Sequence, residues 1–172
     1  AGPTAEIENC DDDEWLRCIQ VNLSGTFFVT KRAVPLLRAS TSGCIINVAS
    51  TAALFGYPAR SPYAASKWGQ IGLTKTWAME LGVAGIRVNA VCPTSVSGER
   101  IDGVIAREAE RRGLSADDVR KMYQRQTSMR SFVSPDEVAD TILFLASEQA
   151  SKISGQTLSV DGHTEGLSNW LD

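Results

Sequence analysis

With 172 residues, 43% of them hydrophobic and 22% charged, the chain has the size and balance of one soluble globular domain able to bury a core. A net charge of −3 without a basic stripe argues against nucleic acid as a partner. No apolar run approaches a membrane span, none reads as a signal peptide, and a single histidine, His163, excludes a His-rich metal site.

In chain order, Asp11 to Asp13 are placed to cap a helix that starts near Glu14 and runs through Asn22 toward Leu37. Gly25 and Pro35 are expected to weaken or bend it. Ser40 to Gly43 read as a turn, and Cys44 to Ala49 as a buried strand. The segment from Ala53 to Pro62 is broken by Gly56, Pro58 and Pro62 and reads as a loop. A helix from about Tyr63 to Leu81 follows, ended by Gly82 and Gly85, and then a strand from Ile86 to Cys92, stopped by Pro93. The polar stretch 94–131 carries helical segments near Asp102–Arg112 and Ala116–Arg125, with Ser115 and Asp118 resembling a capping box. Pro135 and Asp136 open a helix to about Ala146, and Gln156 to Val160 form the last strand. Strands alternating with helices predict a parallel sheet, an α/β fold.

The densest chemistry lies at Tyr63 and Lys67, four residues apart on a predicted helix and therefore on one face. Ser50 ends the strand CIINVAS thirteen residues before the tyrosine. Open α/β sheets bind ligands at the carboxyl ends of their strands, so a hydroxyl, a phenol and an ammonium would meet there. That trio suits proton transfer to or from a carbonyl or alcohol oxygen. With three tyrosines in the chain, a chance Y-x-x-x-K is roughly a one-in-ten event, and adding the serine lowers this to about one in a hundred.

These residues, with DDDEWLRCIQVNLSGTFF, YAASKWGQIGLTKTWAMELGVAGIRVNAVCP, SPDEVADTILFLAS and SGQTLSVDGH, resemble the short-chain dehydrogenase/reductase family over nearly the whole chain. The resemblance implies a Rossmann-like doubly wound parallel sheet. It covers the C-terminal two-thirds of the family pattern, because no glycine-rich phosphate turn is present and the N-terminal nucleotide-binding strands have no counterpart. Residues 1–172 are thus expected to form the C-terminal part of a single domain, with 94–131 as its substrate-loop region. NAD or NADP is the implied cofactor, and a small-molecule alcohol or ketone the implied substrate.

The resemblance also implies roles. Tyr63 is the acid/base, and Lys67 favours its phenolate by proximity of charge and grips the nicotinamide ribose. Ser50 orients the reacting oxygen, and Asn22 holds a water in a proton relay behind the lysine. Pro93, Val96 and Ser97 lie against the nicotinamide, although Thr94 and Gly98 depart from the family's usual glycine and threonine. An arginine among Arg100, Arg107, Arg111, Arg112, Arg120, Arg125 and Arg130 has the chemistry to meet a substrate carboxylate or phosphate, but solvated helix faces account for this run more simply.

Asn89 reads as a structural hydrogen-bonding residue, and His163 as a solvated loop residue. Cys44 and Cys92 read as small buried hydrophobes; with no C-x-x-C pair among four cysteines, a reduced cytoplasmic setting is expected. Trp15, Trp68 and Trp77 fit helix faces as packing or subunit contacts. The CIINVA edge is expected to promote association, and the family's helix pairing implies a homo-oligomer, dimer or tetramer. Two other readings stand beside the oxidoreductase: a catalytically silent module that only associates, and a nucleotide-sugar epimerase or dehydratase sharing the tyrosine–lysine pair.

Overall fold

The computed structural model describes residues 2–166. Three strands, β1 (Cys44–Val48), β2 (Arg87–Pro93) and β3 (Thr157–Val160), form a parallel sheet in that spatial order. Cys44 sits opposite Arg87 and Ala90 opposite Thr157. Central β2 is buried from Val88 to Pro93, which explains its near-continuous apolar sequence. β1 is an edge of this sheet, and its last residue, Val48, is exposed.

The described residues also form six α-helices: α1 (Asp12–Ile19), α2 (Gly25–Arg38), α3 (Ser61–Gly82), α4 (Glu99–Arg112), α5 (Ala116–Arg125) and α6 (Pro135–Ala146). Alternation along the strands assigns the faces. Ile45 and Val88 pack with Trp77 and Leu81 of α3 and with Val34 and Leu37 of α2. Ile46, Val91 and Leu158 pack on the opposite side with Val138, Ile142 and Leu145 of α6. The sheet is therefore covered on both faces, the doubly wound arrangement. α4 and α5 carry a smaller core of their own, built on Ile101, Ile105, Val119 and Tyr123.

The first helical stretch departs from the expected bend points. Asp11 caps α1 by accepting from the Glu14 N–H at 2.9 Å. The helix then widens into a π turn over Gln20–Ser24, closed by the Gly25 N–H on the Gln20 carbonyl. Pro35 sits inside α2 without ending it, three residues before the last, where only one intrahelical hydrogen bond is lost. Ser115 accepts from the Asp118 N–H, which makes half of a capping box; the full reciprocal box is Ser134 with Glu137. Strand β1 stops at Val48, one residue short of the expected Ala49, and a 3-10 turn over Thr51–Ala53 overlaps the expected loop only at Ala53.

Asn89 is fully buried, with its amide donating to the Ile153 carbonyl at 2.8 Å and its oxygen accepting from the Gln156 N–H at 3.0 Å. It ties β2 to the start of β3, the structural role expected of it. Trp77 is buried, whereas Trp15 and Trp68 are exposed. Cys92 is buried and Cys44 only partly so.

Candidate active site

The buried stripe of α3 explains the site. Positions 63, 66, 67, 70, 71, 74, 77 and 81 recur at helical spacing and face inward. The C-terminal half of this stripe is apolar, but its first half is Tyr63, Ser66, Lys67, Gln70 and Thr74. Buried polar groups need partners: Ser66 donates to the Tyr63 carbonyl of its own helix, Thr74 accepts from Asn47 of β1, and Lys67 and Gln70 reach the end of β1 and the π turn.

The Lys67 ammonium donates to the Val48 carbonyl at 2.9 Å, the final residue of β1, and to Gln70 Oε1 at 3.1 Å. It also stands 5.7 Å from the centroid of the Tyr63 ring. Burial pulls the lysine below its ordinary pKa; Tyr63 opposes this, and the charge of Arg100 adds to it. Tyr63 is buried with Cys18 and Ala52, and Phe55 and Tyr57 pack against them. Ser50 lies two residues past β1, and its hydroxyl accepts from the Ala52 N–H at 3.2 Å. Its own hydrogen stays free to donate. Because Ala52 packs on Tyr63, the Ser50 turn rests against the tyrosine.

Asn22 reaches the site through its main chain. Its side-chain amide donates to Cys18 Sγ at 3.2 Å, while its carbonyl accepts from Gln70 Nε2 and from Thr26 Oγ1, both at 2.8 Å. Gln70 thus spans the interval between the lysine ammonium and the Asn22 carbonyl, with Nε2 also on Thr26 Oγ1 at 2.9 Å. Gly69 permits this approach, since a Cβ there would meet Leu23 Cδ2 at 2.8 Å. Sequence reasoning missed Gln70, although its place three residues after Lys67 on the same stripe was a usable signal.

Beyond β2, Pro93 is buried and the Thr94 N–H holds the Val160 carbonyl at 3.2 Å. The Ser97 N–H is taken by the Val133 carbonyl at 2.8 Å, and the Val133 N–H by Ser95. Val96 pairs with Val133 in a parallel bridge, so its own N–H and C=O point the other way. Of the two loop residues expected beside Pro93 at the nicotinamide, Val96 keeps its backbone groups available and Ser97 has its N–H engaged. Cys92 is fully buried; burial lifts its thiol to about 11, against the opposing pull of the Ser50 backbone and the Lys67 charge.

The substrate-loop side is polar. Tyr123 OH donates to Glu108 Oε2 at 3.4 Å, and Glu108 also pairs with Arg112 at 3.2 Å and Arg111 at 3.5 Å. Arg120 pairs with Asp102 at 2.6 Å. Three arginines of the charged run are therefore committed to carboxylates. Burial raises the Tyr57 phenol, while Arg60 and a hydrogen bond with Tyr123 pull it down. Exposed His163 engages Ser128 Oγ through Nδ1 at 2.6 Å and Glu165 through Nε2 at 2.8 Å. Among the described residues there is no cluster suited to a metal ion and no helix long and apolar enough to cross a membrane.

The fold and site are those of a doubly wound α/β protein with a tyrosine–lysine pair at the carboxyl edge of its sheet. A family model described as enoyl-(acyl carrier protein) reductase matches residues 1–164. The chain belongs to the short-chain dehydrogenase/reductase family. It is 41% identical over 156 residues to trans-4-hydroxycyclohexanecarboxylate dehydrogenase of Sinomonas cyclohexanicum, covering 91% of this chain and 54% of the relative. It is 39% identical over 151 residues to 3-oxoacyl-[acyl-carrier-protein] reductase of Thermotoga maritima, covering 88% and 57%. A solved 4-hydroxyisoleucine dehydrogenase complexed with NADH is 28% identical, with a TM-score of 0.74 over 99% of this chain and 66% of that one. The chain spans about half the length of the curated relatives it matches.

Proposed function

We propose that the protein carrying this chain is an NAD(P)-dependent oxidoreductase that interconverts a secondary alcohol and a ketone, with Tyr63 moving the proton. The observation that carries this reading is the Lys67 ammonium, held by the last carbonyl of β1 and by Gln70 while standing 5.7 Å from the Tyr63 ring. Two relatives bear names of enzymes that act on a secondary alcohol or a β-ketone, which supports the same reaction type.

The residues fit the nicotinamide half of the cofactor. In this reading Lys67 would hold the ribose, and Pro93 with the outward N–H and C=O of Val96 would meet the nicotinamide; the lysine's seat at the end of β1 and the Val96 bridge support it. When bound, the nicotinamide supplies or accepts the hydride. In the reductive direction the Tyr63 hydroxyl gives its proton to the carbonyl oxygen; in oxidation the phenolate takes the alcohol proton. Ser50 donates its free O–H to that oxygen and fixes its direction. Gln70 and the Asn22 carbonyl hold Lys67 in place. Tyr63→Phe in the complete protein removes the only proton carrier on the ring and should abolish turnover; retained turnover would take Tyr63 out of this role.

A second reading, self-association, is favoured by apolar exposure along α2 and α3: Phe28, Val29, Leu36, Trp68 and Met79 are all exposed. A homo-oligomer would cover these faces. Sedimentation velocity on residues 1–172 should show a dimer or larger; a monomer at micromolar concentration would count against it.

A further inference from the structure

Arg60 stands three residues before Tyr63, at the entry to α3, and no family residue set or charge pattern singled it out. The chain reaches it through Ala59, whose φ of 58° is a left-handed conformation that alanine adopts at a cost. The Ala5 N–H holds the Ala59 carbonyl at 2.9 Å, and Thr4 Oγ1 accepts from Arg60 Nη1 at 2.6 Å. This strained, anchored turn lays the guanidinium on two aromatic rings. Its central carbon is 5.2 Å from the Tyr63 centroid and 5.7 Å from that of Tyr57.

The guanidinium has no ion-pair partner among the described residues. The ion pairs among the described residues belong to Arg111, Arg112, Arg120 and His163, and none involves Arg60. Glu108, whose charge also acts on Tyr57, is already engaged by Arg111, Arg112 and Tyr123. Arg60 Nε is buried without a hydrogen-bond partner, and Nη2 makes no hydrogen bond among the described residues. Arginine stays charged throughout the working pH range. A half-buried cation with spare donors, stacked on the ring of the acid/base residue, is complementary to an anion that arrives with the substrate.

We propose that Arg60 is the residue that recognises the substrate's anionic group, and that the substrate is a secondary hydroxy acid or the corresponding oxo acid. A carboxylate can take Nη2 and the second N–H of Nη1, whereas a phosphate usually draws donors from several side chains. This inference rests on Tyr63 being the acid/base, since only then does the position of Arg60 beside its ring place it in the substrate pocket.

The test uses the complete protein, with Arg60→Gln and Arg60→Lys. A panel of short β- and γ-hydroxy carboxylates is assayed against their methyl esters. Loss of a charge-assisted hydrogen bond is worth a factor on the order of 10 to 100 in kcat/KM. The wild type should prefer acid over ester by that factor. In Arg60→Gln the ratio should collapse to near one through a higher KM for the acid, and Arg60→Lys should restore part of it. A wild type indifferent to esterification, one that prefers phosphorylated alcohols, or an unchanged ratio in Arg60→Gln overturns the proposal.

A readout independent of turnover is the arginine side-chain Nε–H spectrum during titration with butyrate or butyramide. The Arg60 resonance, assigned by its loss in Arg60→Gln, should shift with butyrate alone. No shift, or equal shifts with both, overturns the proposal. Tyr63→Phe should keep the butyrate shift while losing turnover, so failure of the acid/base reading and failure of the Arg60 reading give different results.

Discussion

Replacing Gln70 by leucine tests how the site is held together. Gln70 is nearly buried and makes three side-chain hydrogen bonds: Oε1 with the Lys67 ammonium, and Nε2 with the Asn22 carbonyl and Thr26 Oγ1. The bond to the ammonium is charge-assisted and contributes about 1.5–3 kcal/mol, and the two neutral ones about 0.5–1.5 kcal/mol each. Leucine recovers part of this, about 1 kcal/mol, through burial of apolar surface. The partners are not stranded, because Lys67 keeps the Val48 carbonyl and Asn22 keeps Thr26 Oγ1. The net loss should therefore be about 1.5–5 kcal/mol. Urea unfolding of wild type and Gln70→Leu, with equal m-values, measures it. The lysine should also fall further below its ordinary pKa, read from its side-chain carbon shift during titration. A loss under about 0.5 kcal/mol, or a lysine that titrates as before, would show that Gln70 does not hold the ammonium and would refute the reasoning.

The remaining expectations concern titration. The native state releases the Lys67 proton before the unfolded chain does at 10.5, so between those two values the unfolded state binds more protons and stability rises with pH. Wild type should therefore gain on Lys67→Met as the pH climbs toward 10.5 in parallel denaturation series; a flat or opposite trend contradicts the burial of a charged lysine. Cys92 behaves in the opposite sense: its thiol is raised to about 11 against 9.0, so its contribution is complete below pH 9 and lost as the pH climbs through 11. In the native chain at pH 8.5, a disulfide reagent should label Cys10 well before buried Cys92, and urea should erase the difference.

Much of this protein was written in local pattern. Alternating strand and helix signals gave the parallel sheet, because period-2 and period-3.6 apolar spacing is a property of neighbouring residues. The cap at Asp11 and the i,i+4 spacing of Tyr63 and Lys67 are equally local. The π turn at Gln20–Ser24 was not legible, since it is set by how the Asn22 region packs against Gly69 and Gln70, 48 residues away. The same holds for the split between Val96 and Ser97, decided when Val133 took the Ser97 N–H.

Sequence alone determined which residue types carry the chemistry and which element holds each, because covalent spacing fixes position along a helix or strand. Only the tertiary structure decided which of those groups are already satisfied. Hydrogen-bond partners and counter-charges come from distant segments, so Gln70 was revealed as the tie between lysine and carbonyl, and Arg60 as a cation with no ion pair among the described residues.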